Sequence, residues 1–395
     1  MKAVHDIVVI GGGLLGCALA WMLARDRADI VLLEKDQINQ HASGQNAGSL
    51  HFQLEYRMME QGLDQARVAA EAMPLHLDSA KRWARLGDEL GESLGVVQTG
   101  GLMLAENDEQ ADLLYAKSEL ERSWGLDVRV ISGQELRTTA PYLSDTVVAA
   151  SFCPIEGKAD TRTAAPALAR GAARLGADIR TRSEVVAIDR DGSHWSLTVR
   201  DGHGAPDATI HAATVMIAAG VWTTEVGTLL DVDLPTVPLA LTMTATMKTA
   251  KFIPHLIQHA GTKLSLKQSL DGNLLIGGGW PARLMIDDAG NPDFARKPEL
   301  LRHSVAGNAR AAARVVPRTG NIPALRTWVG TTTVTPDQLP LVGPLAGKPG
   351  VFVATGGSAF TLGPAFAHVL VQLAQGRAPD MDLSAYDPAR YARLQ

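Results

Sequence analysis

A chain of 395 residues exceeds one ordinary domain of roughly 100–200 residues, so two or more lobes are expected. A hydrophobic fraction of 46%, a charged fraction of 20% and a net charge of -5 describe an ordinary folded protein with no pull toward nucleic acid or an anionic membrane. The two cysteines, Cys17 and Cys153, lie far apart without metal-ligand spacing, so neither a disulfide framework nor a metal site is expected, and a reducing, cytoplasmic setting fits.

No signal peptide is visible in the opening residues, and none is expected. "DIVVI" is a continuous apolar run, as in a strand buried on both faces, and "ADIVLLEK" is a second. With the helix between them, residues 6–34 make a βαβ unit. Residues 58–90 are predicted helical, 95–105 a hairpin or two short strands, and 107–126 a charged helix. "DVRVI" is a predicted strand and "SGQELRTTAPYL" a capped short helix and turn. The Ala-rich stretch 163–176 is a helix stopped by Gly176. Strands follow through residue 202, and "ATVMIAAG" (213–220) is another buried strand. Residues 236–280 alternate apolar and polar, the pattern of an antiparallel sheet, and 297–316 are helical. "GVFVATGGSAFTLGPAFAHVLVQLAQG" closes as strand, glycine turn and helix. No apolar run is long enough to cross a membrane.

Parallel-type βα units therefore stand near residues 10, 215 and 355, with alternating β segments between them. This order predicts a parallel nucleotide-binding lobe assembled from separated pieces, with an antiparallel lobe inserted twice.

Gly11, Gly13 and Gly16 form GxGxxG between a strand and a helix. Gly11 permits the tight turn, Gly13 lets a pyrophosphate approach the backbone, and Gly16 lets the helix pack on the sheet. The helix start offers free N–H groups to phosphate. Glu34 closes the second strand, where a carboxylate accepts from ribose hydroxyls and disfavours a 2′-phosphate. A bare glycine turn is the bland alternative; the strand, helix and Glu34 together favour a dinucleotide. They do not separate FAD from NAD.

"IVVIGGGLLGCALAWMLA" with Glu34, "ASGQNAG", "AAGVWT" (218–223), "TPDQLPLVGP" (335–344) and "ATGGSAFTLGP" (354–364) occur in this order. Together they resemble the flavoprotein oxidases of the D-amino acid oxidase, glycine oxidase and sarcosine oxidase group across essentially the whole chain. "SGQNAGSLHFQ" and "LKQSLDGNLLIGGGW" are most similar to the sarcosine oxidase β-subunit-like and opine oxidase-like branch. The resemblance implies an α/β fold: a Rossmann-like FAD-binding domain of the glutathione reductase type, built from discontinuous segments, with an inserted α+β antiparallel-sheet substrate domain. The FAD-binding domain is expected from residues 1–90, 150–225 and 325–395, and the substrate domain from 91–149 and 226–324.

The resemblance also implies non-covalent FAD. Gly11, Gly13, Leu14, Leu15, Gly16, Glu34 and Lys35 would hold its adenosine diphosphate end. Ala42, Ser43 and Gly44 would lie along the pyrophosphate or ribityl chain, and Asn46, Ala47 and Gly48 beside the isoalloxazine. Val186 would meet the adenine through its backbone, with Ala219, Gly220 and Trp222 on the same side. Gly356, Gly357, Ser358, Phe360 and Thr361 would run past the pyrimidine ring, their N–H groups steadying its negative charge.

The implied reaction moves a hydride equivalent from the carbon beside an amine to flavin N5, leaving an imine. Expected substrates are secondary amines, N-substituted amino acids, imino acids or opines. An alternative is a flavoprotein subunit passing electrons to a partner or quinone within a homo- or hetero-oligomer; an NAD-dependent dehydrogenase is a third reading. Such chemistry needs cations and hydrogen-bond donors rather than a triad. His51 and Gln53 are the first candidates to meet substrate; His51 is equally read as a structural or helix-capping histidine. Lys267, beside Gln268 on an alternating strand, is a candidate for the flavin N5 neighbourhood or else a solvated lysine. Arg326 and Trp328 are read as pocket wall or packing. Relatives commonly carry an Arg in the segment before "TPD"; here it reads Thr331, Thr332, Thr333.

Overall fold

The computed structural model describes residues 4–202 and 207–391. β1 (Val4–Ile10) runs through the glycine turn into α1 (Leu14–Arg25), and the chain returns as β2 (Ile30–Leu33), parallel to β1. A single helical turn, α2 (Ala42–Gln45), and a short strand, β3 (Ser49–Leu50), follow. The expected helical stretch from 58 is two helices, α3 (Leu63–Ala70) and α4 (Met73–Leu90). Pro74 lies in the first turn of α4 and Gly91 ends it in the left-handed conformation.

Next come β4 (Gly101–Ala105), α5 (Asp108–Ser123), β5 (Arg129–Ser132), α6 (Gly133–Thr139), β6 (Ala149–Cys153) and β7 (Gly157–Lys158). The hairpin expected over 95–105 is absent among the described residues: β4 is one strand, paired with β6, and Val97 bridges to Lys158 instead. The chain re-enters the first sheet through α7 (Ala164–Arg174), β8 (Asp178–Arg180), β9 (Ser183–Asp191), β10 (His194–Asp201) and β11 (Ala208–Ile217), followed by α8 (Thr223–Thr228). The second sheet resumes with β12 (Val237–Lys248), β13 (Leu256–His259), β14 (Ser265–Gln268) and β15 (Asn273–Gly277). After α9 (Arg302–Val315) comes β16 (Ala324–Val334); β17 (Leu341–Pro344), β18 (Val351–Thr355) and α10 (Ala359–Ala374) complete the first sheet and its cover.

The first sheet runs β17-β18-β11-β1-β2-β8, with β10 joining β11 to β9; the second runs β16-β12-β15-β14-β13-β4-β6-β5. β18, β11, β1, β2 and β8 are mutually parallel. Apolar periodicity explains the layers. Ile7, Val9, Ile30 and Leu32 face the helices α1, α4, α7 and α10, while Val8, Ile10, Val31 and Leu33 face Trp195, Leu197 and Val199 of β10. Both faces of β1 and β2 are buried, which is why they read as unbroken apolar runs. In the second sheet, Leu264, Leu266, Leu274 and Ile276 pack with Ala311, Ala312 and Val315 of α9, a separate core. The fold is α/β with a Rossmann-like lobe and a second sheet lobe, as the motifs imply. Among the described residues no helix is long and apolar enough to cross a membrane.

Candidate functional site

The carboxyl ends of β1, β2, β11 and β18 open onto a cavity of about 890 Å³ that continues along the second sheet. Its position follows the rule that ligands bind outside the carboxyl ends of parallel strands.

At one end, Gly11 turns with φ 113°, a conformation costly for any residue with a Cβ. A Cβ on Gly16 would overlap the Gly11 carbonyl, so Gly16 closes the helix onto the strand rather than facing the cavity. Gly12 is equally constrained: a Cβ there would come within 2.7 Å of Ile38 and 2.8 Å of Glu34. The spacing rule passes over Gly12, although the GGG run is a signal for it. Ser43 Oγ accepts from Leu14 N at 2.9 Å, so the α2 turn is pinned to the start of α1. Glu34 accepts from Gly12 N at 2.6 Å and from Asp36 N at 2.8 Å, which fixes its carboxylate at the cavity wall.

Lys35 Nζ sits 3.8 Å from the Trp222 ring centroid, and His41 meets that ring edge-on at 4.6 Å. Val186 falls where the β9–β10 register shifts between Ala187 and Val185, so it is left out of the ladder and lines the cavity. Ala42, Ala219 and Gly220 complete this end.

At the other end, Asn46, Ala47, Gly356, Gly357, Ser358, Phe360 and Thr361 line the wall. No side chain caps the start of α10, so its first-turn N–H groups lack intrahelical partners. Trp83 Nε1 donates to the Thr361 carbonyl at 2.8 Å and the Thr361 hydroxyl donates to the Ser49 carbonyl at 3.1 Å, which fixes that start in place. Arg57 donates to Glu55 at 3.0 Å, to Ser358 Oγ at 2.9 Å and to Gln338. Burial pushes the Glu55 carboxyl up, but the Arg57 guanidinium and the hydrogen bonds from Arg57 and the Ser358 hydroxyl outweigh it and hold it at about 2. Neither Glu55 nor Arg57 was singled out by the sequence; the charges in "LEYR" were the available signal.

His51 faces this end of the cavity. Its Nδ1 lies 2.6 Å from Gln258 Nε2 and its Nε2 lies 3.1 Å from Ser265 Oγ. Taking the amide nitrogen as donor, the ring is a neutral tautomer that donates from Nε2. It caps no helix. Lys263 and Leu264 lie beside it in the wall. Gly278, at φ 109°, leaves room for the Leu264 backbone, and Trp280 Nε1 donates to the Lys263 carbonyl at 2.8 Å, so the "IGGGW" run holds this turn. Thr331, Thr332 and Thr333 of β16 also line the cavity.

Several expectations are corrected. Gln53 does not reach the cavity: its amide donates to Glu156 at 2.9 Å and accepts from Lys117 at 3.0 Å and Ser151 at 2.7 Å, all buried. The chain leaves strand geometry after β3, so the alternation that would place Gln53 on the His51 side does not hold, and Gln53 turns into the interior with Phe52. Gly44 lies against Asn39, and Gly48 against the Ala159 carbonyl, rather than on the cavity face. Lys267 stands behind Gly48, its Nζ within 3.0 Å of where a Gly48 Cβ would be and 3.5 Å from the Ala159 carbonyl. It is 2% exposed, so it is not a solvated lysine. Burial, with Lys158 nearby, holds its pKa well below the usual lysine value, against the pull of Asp160. Gln268 accepts from Phe252 N and Ile253 N and is purely structural. Trp328 donates to the Gln45 carbonyl at 2.8 Å, and Arg326 stacks on it, so both are packing between lobes. Burial pushes both cysteine thiols up and out of reactive range.

The family model for FAD dependent oxidoreductases, DAO, matches residues 6–373. Glycine oxidase of Geobacillus kaustophilus is 26% identical over 395 residues, covering 98% of this chain and 97% of that protein. An opine oxidase subunit of Rhizobium meliloti is 25% identical, covering 99% of this chain and 98% of that protein. Mitochondrial dimethylglycine dehydrogenase of Rattus norvegicus is 26% identical over 98% of this chain, which spans only 45% of that longer protein. Among solved structures, the Geobacillus kaustophilus glycine oxidase superposes with a TM-score of 0.84 at 25% identity, over 98% of this chain and 99% of that one. The L-proline dehydrogenase of P. horikoshii shares the fold with a TM-score of 0.84 at 22% identity, covering 100% of both chains.

Proposed function

Because the chain belongs to the DAO family of FAD-dependent oxidoreductases, we propose that its cavity oxidises the C–N bond of a carboxylate-bearing secondary amine or N-substituted amino acid to an imine. The residues present fit the cofactor. The Gly11 turn and the start of α1 offer N–H donors to a pyrophosphate, Glu34 offers acceptors to a ribose, and the uncapped start of α10 offers donors to a developing negative charge. When bound, FAD supplies the acceptor for the two electrons and the hydrogen that leave the carbon beside the amine nitrogen.

The observation that carries the substrate class is the wall made by Lys263, Ser265 and His51. Among the described residues, Lys263 is a cavity-lining cation with no carboxylate partner, whereas Arg57 is paired with Glu55 and Lys35 lies over Trp222. We assign to Lys263 the grip on the substrate carboxylate that the Thr331–Thr333 segment lacks. His51 donates from Nε2 and has its Nδ1 lone pair engaged by Gln258, so it orients substrate instead of removing a proton. The amine must enter neutral. Lys267 stands buried behind Gly48, where burial and the charge of Lys158 press its amine toward the uncharged form. The protonated imine left after oxidation is hydrolysed by water.

Anaerobic mixing of the FAD-loaded protein with a panel of secondary amines tests this reading: at least one should bleach the flavin absorbance, and failure of the whole panel sinks it. A second reading rests on the likeness to the Rhizobium meliloti opine oxidase chain, whose name marks it as one part of a larger enzyme; here too the chain would be the flavoprotein component of a heteromeric complex. Admitting air to the bleached enzyme separates the two, since prompt recovery of colour belongs to an oxidase and slow recovery to a component that hands electrons to a partner.

A further inference from the structure

A second cavity of about 300 Å³ lies between β7, the 249–254 loop and β14, and shares no lining residue with the first. We propose that it binds a small organic anion, a carboxylate carried on a short apolar body. Its volume is at the lower end of small-molecule sites.

The walls are apolar, with Val97, Phe252, Ile253 and Leu270, while Lys158 and Lys251 bring two ammonium groups to the same space. Lys158 Nζ donates to the Gln268 carbonyl at 2.6 Å, and no carboxylate lies within ion-pair distance of Lys158 or Lys251 among the described residues. The nearby acids are committed elsewhere. Arg162 takes Asp160 in a two-pronged pair at 3.0 and 2.7 Å, and also takes Asp271 at 2.8 Å. Lys267 lies on the same strand as Gln268, so three amines share one neighbourhood whose carboxylates are spent on an arginine. Burial and the charge of Lys251 both press Lys158 toward its uncharged form. An anion in the cavity removes that penalty for both lysines at once, and the apolar walls favour a ligand with a hydrocarbon part over a bare inorganic ion.

Titration calorimetry of the FAD-loaded protein with butyrate, at fixed ionic strength and with butyramide as the uncharged control, tests the site. Butyrate should bind and butyramide should not. Measured in a Lys263→Gln background, which removes the carboxylate grip of the first cavity, Lys251→Gln and Lys158→Gln should each weaken butyrate binding about tenfold, as expected for loss of one charge-assisted contact. Equal heats for butyrate and butyramide would overturn the proposal, as would unchanged binding in Lys251→Gln. Loss of butyrate binding in Lys263→Gln alone would assign the ligand to the first cavity and overturn it too. Lys251 is exposed, so its variant decides the matter if Lys158→Gln does not fold.

Discussion

Arg57 donates to the Ser358 hydroxyl across 301 positions of chain, and through the same nitrogen to Glu55, so one guanidinium ties the loop after β3 to the start of α10. Glu55 is the titrating member of this tie. Its folded pKa of about 2 lies below the ordinary 4.5, so the stability it contributes is fully present above about pH 4.5 and is lost as pH falls toward 2. At about 1.4 kcal/mol per pKa unit, the contribution is at most ~3.5 kcal/mol. Acid-unfolding curves should therefore be flatter between those pH values for Glu55→Gln than for the parent. Parallel curves would show that the pair contributes nothing.

Gly13→Val should abolish FAD binding without unfolding the chain. A Cβ at Gly13 already comes within 2.9 Å of Ser43 Oγ, and a branched side chain fills the approach to the start of α1. Circular dichroism checks the fold and the visible flavin spectrum checks the cofactor. Stoichiometric FAD in this variant contradicts the phosphate-loop assignment.

Lys263→Gln removes the charge and keeps much of the reach. With a carboxylate-bearing amine, KM should rise by roughly 10–100-fold while kcat changes far less, because the contact is made equally in ground and transition states. The same substitution should have little effect on an amine lacking a carboxylate. An unchanged KM returns the role to Arg57 or His51.

Lys267→Met should stabilise the protein more as pH is lowered. The folded pKa of Lys267 is depressed, so between it and the ordinary 10.5 the unfolded chain binds the extra proton and the parent loses stability as pH falls. The variant escapes this loss. Chemical denaturation at several pH values measures it, and a stability difference independent of pH would mean that Lys267 titrates normally.

The glycine-turn end of the cavity was legible because its signals are local. Gly11, Gly13, Gly16 and Glu34 lie within one βαβ unit, and their roles depend on turn geometry that a short sequence encodes. The substrate end depends on pairing. Lys263 and Ser265 reach the cavity because β14 lies between β13 and β15, and because Gly278 and Trp280 hold the turn before it. Gln53 was misplaced for the same reason: its partners Glu156 and Lys117 are 103 and 64 residues away, and nothing beside it in the chain announces a buried charge network. Trp328 meets Gln45 only once the two lobes have packed.

The cradle draws on Gly11 near one extreme of the first sheet's sequence and on Gly356 to Thr361 near the other, with Val186 and Ala219 between. During synthesis, β11 and β1 can pair before β18 exists, but the wall from α10 is added only after residue 361 has left the ribosome. Long-range pairings of this kind are completed late. Tight cofactor capture therefore waits for α10: a nascent chain stalled before β18 should show no high-affinity FAD binding.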